Sequence, residues 1–168
     1  MNSKPCVVLF LYLACVGSVM AGEENWRTVI GYDPLQKKTA CLLESKLLTV
    51  FDGQTDTPLQ LIYNGSVFRM TSQSHVDLTY PGVGLRVDMQ DPFTVDAVEN
   101  RTDLIFSSRA DAIKEQFIAG RQAQIAVGFW PTWPRGDTVV ARFSLLGFSR
   151  AYTAFRHCQT TGEPPDHD

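Results

Sequence analysis

The chain has 168 residues, 44% of them hydrophobic and 20% charged, with 15 basic and 18 acidic side chains and a formal charge of −3. That size suits one domain with a substantial core. A mildly acidic chain without a basic stripe is a poor candidate for binding nucleic acid or an anionic membrane surface.

The first residues read as a targeting segment. Lys4 supplies a positive start, and Cys6 to Val16 (CVVLFLYLACV) is an apolar run too short to span a bilayer. Val19-Met20-Ala21 places small or aliphatic residues where a signal peptidase cuts. We therefore expect residues 1–21 to be a signal peptide cleaved after Ala21, and the mature protein to be periplasmic or secreted, with no stable membrane anchor. The rival reading acylates Cys15, but Tyr12 sits where a lipoprotein signal wants an aliphatic residue. Cleavage takes 21 of 168 residues and leaves 147; losing Lys4 takes 15 basic groups to 14 against 18 acids, a formal charge of −4. Cys6 and Cys15 leave with the signal, so Cys41 and Cys158 remain. Two cysteines in an oxidising compartment usually pair. The alternatives are two buried free thiols or a metal pair, for which no nearby histidine repeats a ligand spacing.

The mature chain is expected to be a single β-rich domain over residues 22–159 with a disordered polar tail at 160–168. Trp26, Val29 and Ile30 among polar residues mark a first strand, and Tyr32-Asp33-Pro34 a turn. Thr39 to Val50 is ambiguous, because its leucines fit either a helix face or a strand interrupted by a bulge; the strand is preferred. Asp52-Gly53 has turn chemistry. Leu59 to Arg69 alternates around Asn64-Gly65, a pair that favours a type I′ hairpin turn. His75 to Leu78 is a further short extended run. Pro81-Gly82-Val83-Gly84 turns into a strand at Leu85 to Asp88. Phe93 to Val98 and Leu104 to Phe106 form a second hairpin around Glu99-Asn100-Arg101.

Ser107 to Gly120 reads as a helix. Ser108 and Asp111 resemble a capping box, and Gly120 is placed to end the helix in the left-handed conformation. Strands follow at Gln122 to Trp130 and Asp137 to Leu145. Ser149 is then placed to cap a last helix through His157. The fold class is mainly β: an antiparallel β-sandwich or flattened barrel with two short helices near the C-terminus.

Three blocks resemble the invasion-associated locus B family of exported bacterial proteins. They are Tyr80-Pro81-Gly82-Val83-Gly84-Leu85-Arg86-Val87-Asp88, the helix from Asp111 to Gly120 with the strand from Gln124, and Phe143-Ser144-Leu145-Leu146-Gly147-Phe148-Ser149-Arg150-Ala151. The likeness covers residues 78–155, and the last block is the most specific. Ile30 and Phe106 stand where the family commonly has further cysteines, so the disulfide scheme must differ. The resemblance implies a periplasmic or secreted β-rich protein acting at the cell envelope or on a host, with no catalytic residues to carry over.

Residue chemistry leaves little for catalysis. His75 and Asp77 share one strand face, which could orient an imidazole for hydrolysis. The bland reading of that pair is a solvated face. Asp88, Asp91, Asp96 and Glu99 form an acidic stretch, but not with calcium-loop spacing, and we expect neither a metal nor a cofactor. Asn64-Gly65-Ser66 and Asn100-Arg101-Thr102 match glycosylation acceptors, relevant only to a eukaryotic secretory pathway. Phe129, Trp130 and Trp133, together with two prolines, suggest a partner-contact tip, since tryptophan is enriched at binding hot spots. The sequence thus favours a non-enzymatic module contacting a protein or envelope partner. An exported hydrolase using His75, or a small-ligand carrier with an apolar interior, are the alternatives.

Overall fold

The computed structural model describes residues 24–130 and 137–163; the expected signal peptide, Trp133 and the last five residues lie outside the described residues. β1 (Trp26–Asp33) and β2 (Lys38–Ser45) form an antiparallel hairpin with Trp26 opposite Ser45. Lys46 and Leu47 then offset the chain before β3 (Leu48–Phe51). Both β2 and β3 pair with β4 (Asp56–Tyr63), so the ambiguous leucine-rich stretch is one strand broken by a two-residue step. Leu43 and Leu48 point into the core from either side of that step.

β5 (Phe68–Ser72), β6 (Gly84–Val87), β7 (Ala97–Glu99) and β8 (Asp103–Phe106) follow. α1 (Ala110–Ala119) leads into β9 (Gln122–Val127), β10 (Val139–Ser144) and α2 (Phe148–Thr161). The larger sheet has seven strands in the order β1-β2-β4-β5-β8-β7, with β3 beside β4; the smaller is β10-β9-β6. Neither closes on itself, so the sandwich-like arrangement is adopted and the barrel is not.

Strand alternation explains the shared core. Leu59, Leu61, Phe68, Met70, Leu104 and Phe106 face inward from the larger sheet, and Leu85, Val87, Ile125, Val127 and Phe143 from the smaller. Ile113 and Phe117 of α1, with Phe148, Ala151 and Phe155 of α2, complete it. Each fully buried side chain of this size is worth about 1.5–3 kcal/mol of transfer free energy. At one end the rings interlock: Phe117 lies 5.8 Å from Trp26, 4.9 Å from Phe68 and 5.2 Å from Phe148. The Trp26 indole N–H donates to the Ser144 carbonyl at 2.7 Å, which ties the first strand to the end of β10. The other face of the larger sheet carries a buried ion pair, Arg69 to Asp103 at 3.1 Å. Thr71 and Thr102 hydroxyls donate to the second Asp103 oxygen, so the buried carboxylate is satisfied.

α2 lies against β1 and β2, and Cys158 is bonded to Cys41 across that contact with 6.0 Å between the Cα atoms. The Thr28 hydroxyl of β1 donates to the Ala151 carbonyl at 2.8 Å beside it. The turn into α2 falls on Gly147, whose φ of +90° would strain any residue with a Cβ.

Several local expectations are corrected. Asn64-Gly65 is not a two-residue type I′ turn, because the loop runs over four residues between Tyr63 and Phe68 and Asn64 does not take positive φ. Its Oδ1 instead accepts from the N–H groups of Ser66 and Val67, while its Nδ2 donates to buried Asp33. The I′ pattern sits at Asn100-Arg101, with φ of 53° and 66° and a Thr102 N–H to Glu99 carbonyl bond. His75 to Leu78 is not a full strand, because only Val76 makes an isolated bridge. Gly120 ends α1 in extended conformation, not left-handed. α2 is capped by Gly147 and not by Ser149, which lies inside the helix, and it continues through Thr161, past the expected start of the tail.

The Ser108–Asp111 capping box does not form either. Asp111 pairs with Lys114 at 2.9 Å, the Arg109 N-cap has no side-chain cap bond, and Asp96 on the preceding hairpin instead holds the two residues ahead of it. Asp96 accepts from the Ser107 N–H at 2.6 Å, the Ser108 N–H at 2.9 Å and the Ser108 hydroxyl at 2.6 Å. The Ser108 hydroxyl and N–H, with those of Ser107, hold the Asp96 carboxyl below its ordinary value of 3.8 against a smaller opposing effect of burial. A lowered carboxyl stabilises the fold above its unfolded pKa and loses that contribution as pH falls through the folded value. Asp96→Asn is therefore expected to cost about 0.5–1 kcal/mol at pH 6, the size of a lost charge-assisted hydrogen bond discounted for exposure to solvent. Chemical denaturation of both proteins should show the gap shrinking below about pH 4; a gap that persists unchanged at about pH 3 would show that the carboxylate charge is not what matters.

Candidate functional site

Two of the residues singled out in the sequence, His75 and Trp130, meet at one end of the sandwich. The chain leaving β5 is first fixed by Asp52. Burial pushes the Asp52 carboxyl up, but hydrogen bonds from the Ser74 hydroxyl and from the N–H groups of Thr55 and Gln54 outweigh it and leave it below the ordinary value. Ser74 is thereby anchored one residue before His75. The next residues lie between the two sheets. The Val76 N–H donates to the Arg101 carbonyl of the β7–β8 turn at 2.8 Å. On the other side the Asp77 N–H donates to the Gly128 carbonyl at 2.8 Å, and the Trp130 N–H donates to the His75 carbonyl at 2.9 Å. Gly128 is needed here, because a Cβ would fall 2.4 Å from the Tyr80 ring.

This stitch sets the side chains. The chain alternates after β9, so Phe129 turns inward and is 2% exposed, while Trp130 turns outward and is 63% exposed. Phe129 is therefore a core residue and not part of a contact tip. Trp133 lies outside the described residues. Trp130 lines a groove of about 370 Å³ with His75, Val76, Asp77, Leu78, Val98 and Arg101. Leu78 is 46% exposed, and His75 and Arg101 are exposed at the rim. Nothing in the sequence linked Leu78, Val98 and Arg101 to Trp130, since they come from the segment after β5, from β7 and from the β7–β8 turn, which only the sheet pairing brings together. The Asn100-Arg101 turn was legible, but its nearness to Trp130 was not.

The other candidates have structural partners. Asp77 and His75 do line the same groove, but Asp77 Oδ1 accepts from the Thr79 N–H at 2.8 Å and the Thr79 hydroxyl at 2.7 Å. Among the described residues no hydrogen bond or ion pair joins the His75 imidazole to an acid. Asp88 accepts from the N–H groups of Arg121 and Gln122 where α1 passes into β9. With Asp96 at the head of α1, two of the four acids in the Asp88–Glu99 stretch hold backbone. Among the described residues no three His, Cys, Asp or Glu side chains are gathered to hold a metal ion. The layer between the sheets is occupied by the packed core side chains. No described helix is long and apolar enough to cross a membrane. No family model, curated protein or solved structure matches the chain.

Proposed function

We propose that this is an exported, non-enzymatic binding module of the invasion-associated locus B kind, acting through contacts with a protein or envelope partner at the Trp130 groove. The observation that carries the reading is an indole left 63% exposed on a backbone hydrogen-bonded into the fold. Exposing a large aromatic surface to water is unfavourable, and exposed tryptophans in concave settings are characteristic of recognition sites. Export is supported by the apolar N-terminal run and is compatible with the Cys41–Cys158 bond. The likeness to the invasion-associated locus B blocks supports envelope action, and the residues of its most specific block have structural roles here: Ser144 accepts from Trp26, Gly147 turns the chain, and Phe148 and Ala151 are core. The hydrolytic reading needs an imidazole held by an acid, and Asp77 is engaged by Thr79 instead.

The reading is tested by placing a benzophenone side chain at position 78, in the groove wall beside an intact Trp130, and irradiating the protein with an envelope fraction. The expected result is a discrete adduct, to protein or glycan, that unlabelled wild-type protein competes away and Trp130→Ala protein does not. The same photo-group at Glu115, exposed on α1, should give none. Equal labelling from both positions, or no adduct from position 78, would refute the contact face.

A further inference from the structure

We propose that the Trp130 groove is a saccharide site that takes a pyranose unit of an envelope glycan; this rests on the contact-face reading above. A pyranose ring has a flat face of C–H groups and a rim of hydroxyls, each of which can donate and accept. The groove offers the matching chemistry. The indole of Trp130 presents an electron-rich face to polarised C–H groups. Around it stand Arg101, which only donates, Asp77, which accepts, and His75, which can do either. Leu78 and Val98 supply apolar contact on the same wall.

The size of the groove favours a sugar over a folded protein. A stable protein interface buries about 800 Å² on each partner around a cluster of apolar anchors. Among the described residues the exposed large apolar side chains of the lining are Trp130 and Leu78. A groove of about 370 Å³ lies within the range of small-ligand pockets. Its walls are also held in advance, because residues 75–77 are hydrogen-bonded on both sides and Trp130 is bonded to His75. Binding would then require little ordering of the backbone.

The test titrates the intact protein with the β-1,4 tetrasaccharides of N-acetylglucosamine and of glucose and with the α-1,4 tetrasaccharide of glucose. Calorimetry and saturation-transfer NMR give the readout. At least one should bind with a dissociation constant of millimolar order or tighter. Trp130→Ala should weaken it about tenfold or more, the factor that a loss of about 1.4 kcal/mol gives. Trp130→Phe should retain most of the affinity, and Arg101→Ala should lower it severalfold. Unchanged melting midpoints would confirm that these exposed positions leave the fold intact. The preferred tetrasaccharide distinguishes an amino-sugar polymer from a glucan as the source. No binding of any of the three up to about 10 mM, or binding that Trp130→Ala leaves unaltered, overturns the proposal. A protease-sensitive adduct at position 78 without glycan binding overturns the saccharide assignment and leaves the contact face standing. Absence of both overturns both.

Discussion

The double variant Cys41→Ala/Cys158→Ala is expected to lose about 4 kcal/mol of stability, because the bond closes a loop of 117 residues. The cross-link acts mainly on the unfolded chain, from which it removes the conformations that separate the two ends of that loop. It also acts where the fold needs it. α2 meets β1 and β2 through Phe155, Ala151 and the Thr28 hydrogen bond, and the bond pins that contact near the helix end. Alanine suits the test, because Cys158 is fully buried and serine would bury an extra hydroxyl. Urea unfolding of both proteins under oxidising conditions should show the difference. Wild-type protein held in reductant should move toward the variant. A loss below about 1 kcal/mol would mean that the unfolded chain is already compact without the bond.

Phe117→Ala is expected to cost a similar amount, about 4 kcal/mol, within the range for truncating a buried phenylalanine. Phe117 is 1% exposed and meets Trp26 of β1, Phe68 of β5 and Phe148 of α2. Three elements distant in sequence thus share one ring of α1, so the site has little freedom to collapse around a void. The near-ultraviolet circular dichroism of Trp26, which packs edge-on to both Phe117 and Phe148, should weaken together with the urea midpoint. Phe117→Leu should recover much of the loss, since it fills most of the space without the edge-to-face contacts. A loss below about 1.5 kcal/mol for alanine would show that α1 can shift to close the gap.

What the sequence revealed follows the range of the interactions involved. Alternation at Leu59 to Tyr63 and at Leu85 to Val87 was legible because a strand's own pattern reports which face is buried. The two cysteines were legible as a pair by elimination within the expected mature chain. The approach to α1 was misread for the opposite reason. Ser108 does take part, but its partner is Asp96, twelve residues earlier on another element, and a local motif search cannot see it. The same holds at Asn64, where the hydrogen bond to Asp33 spans 31 residues and joins two hairpins. There the Asn-Gly signal was correct as a turn and wrong as a turn type. Phe129 and Trp130 were grouped because they are adjacent, and the strand-like backbone sends them to opposite sides. The groove itself was illegible, since its wall comes from Leu78, Val98 and Arg101, and each looks ordinary in its own segment.

The Cys41–Cys158 bond also fixes an order of events. In a chain that emerges N-terminus first, Cys41 appears early and its partner arrives as the 117th residue after it. β3, β4, β5, β7 and β8 of the larger sheet, α1 and the whole smaller sheet lie within that interval. Most strands can therefore pair before the bond has both its partners. After the first 21 residues the chain has no third thiol to mispair with. With residues 1–21 removed as the sequence leads us to expect, the final step is a single closure with one intramolecular product, which needs an oxidant but no disulfide shuffling.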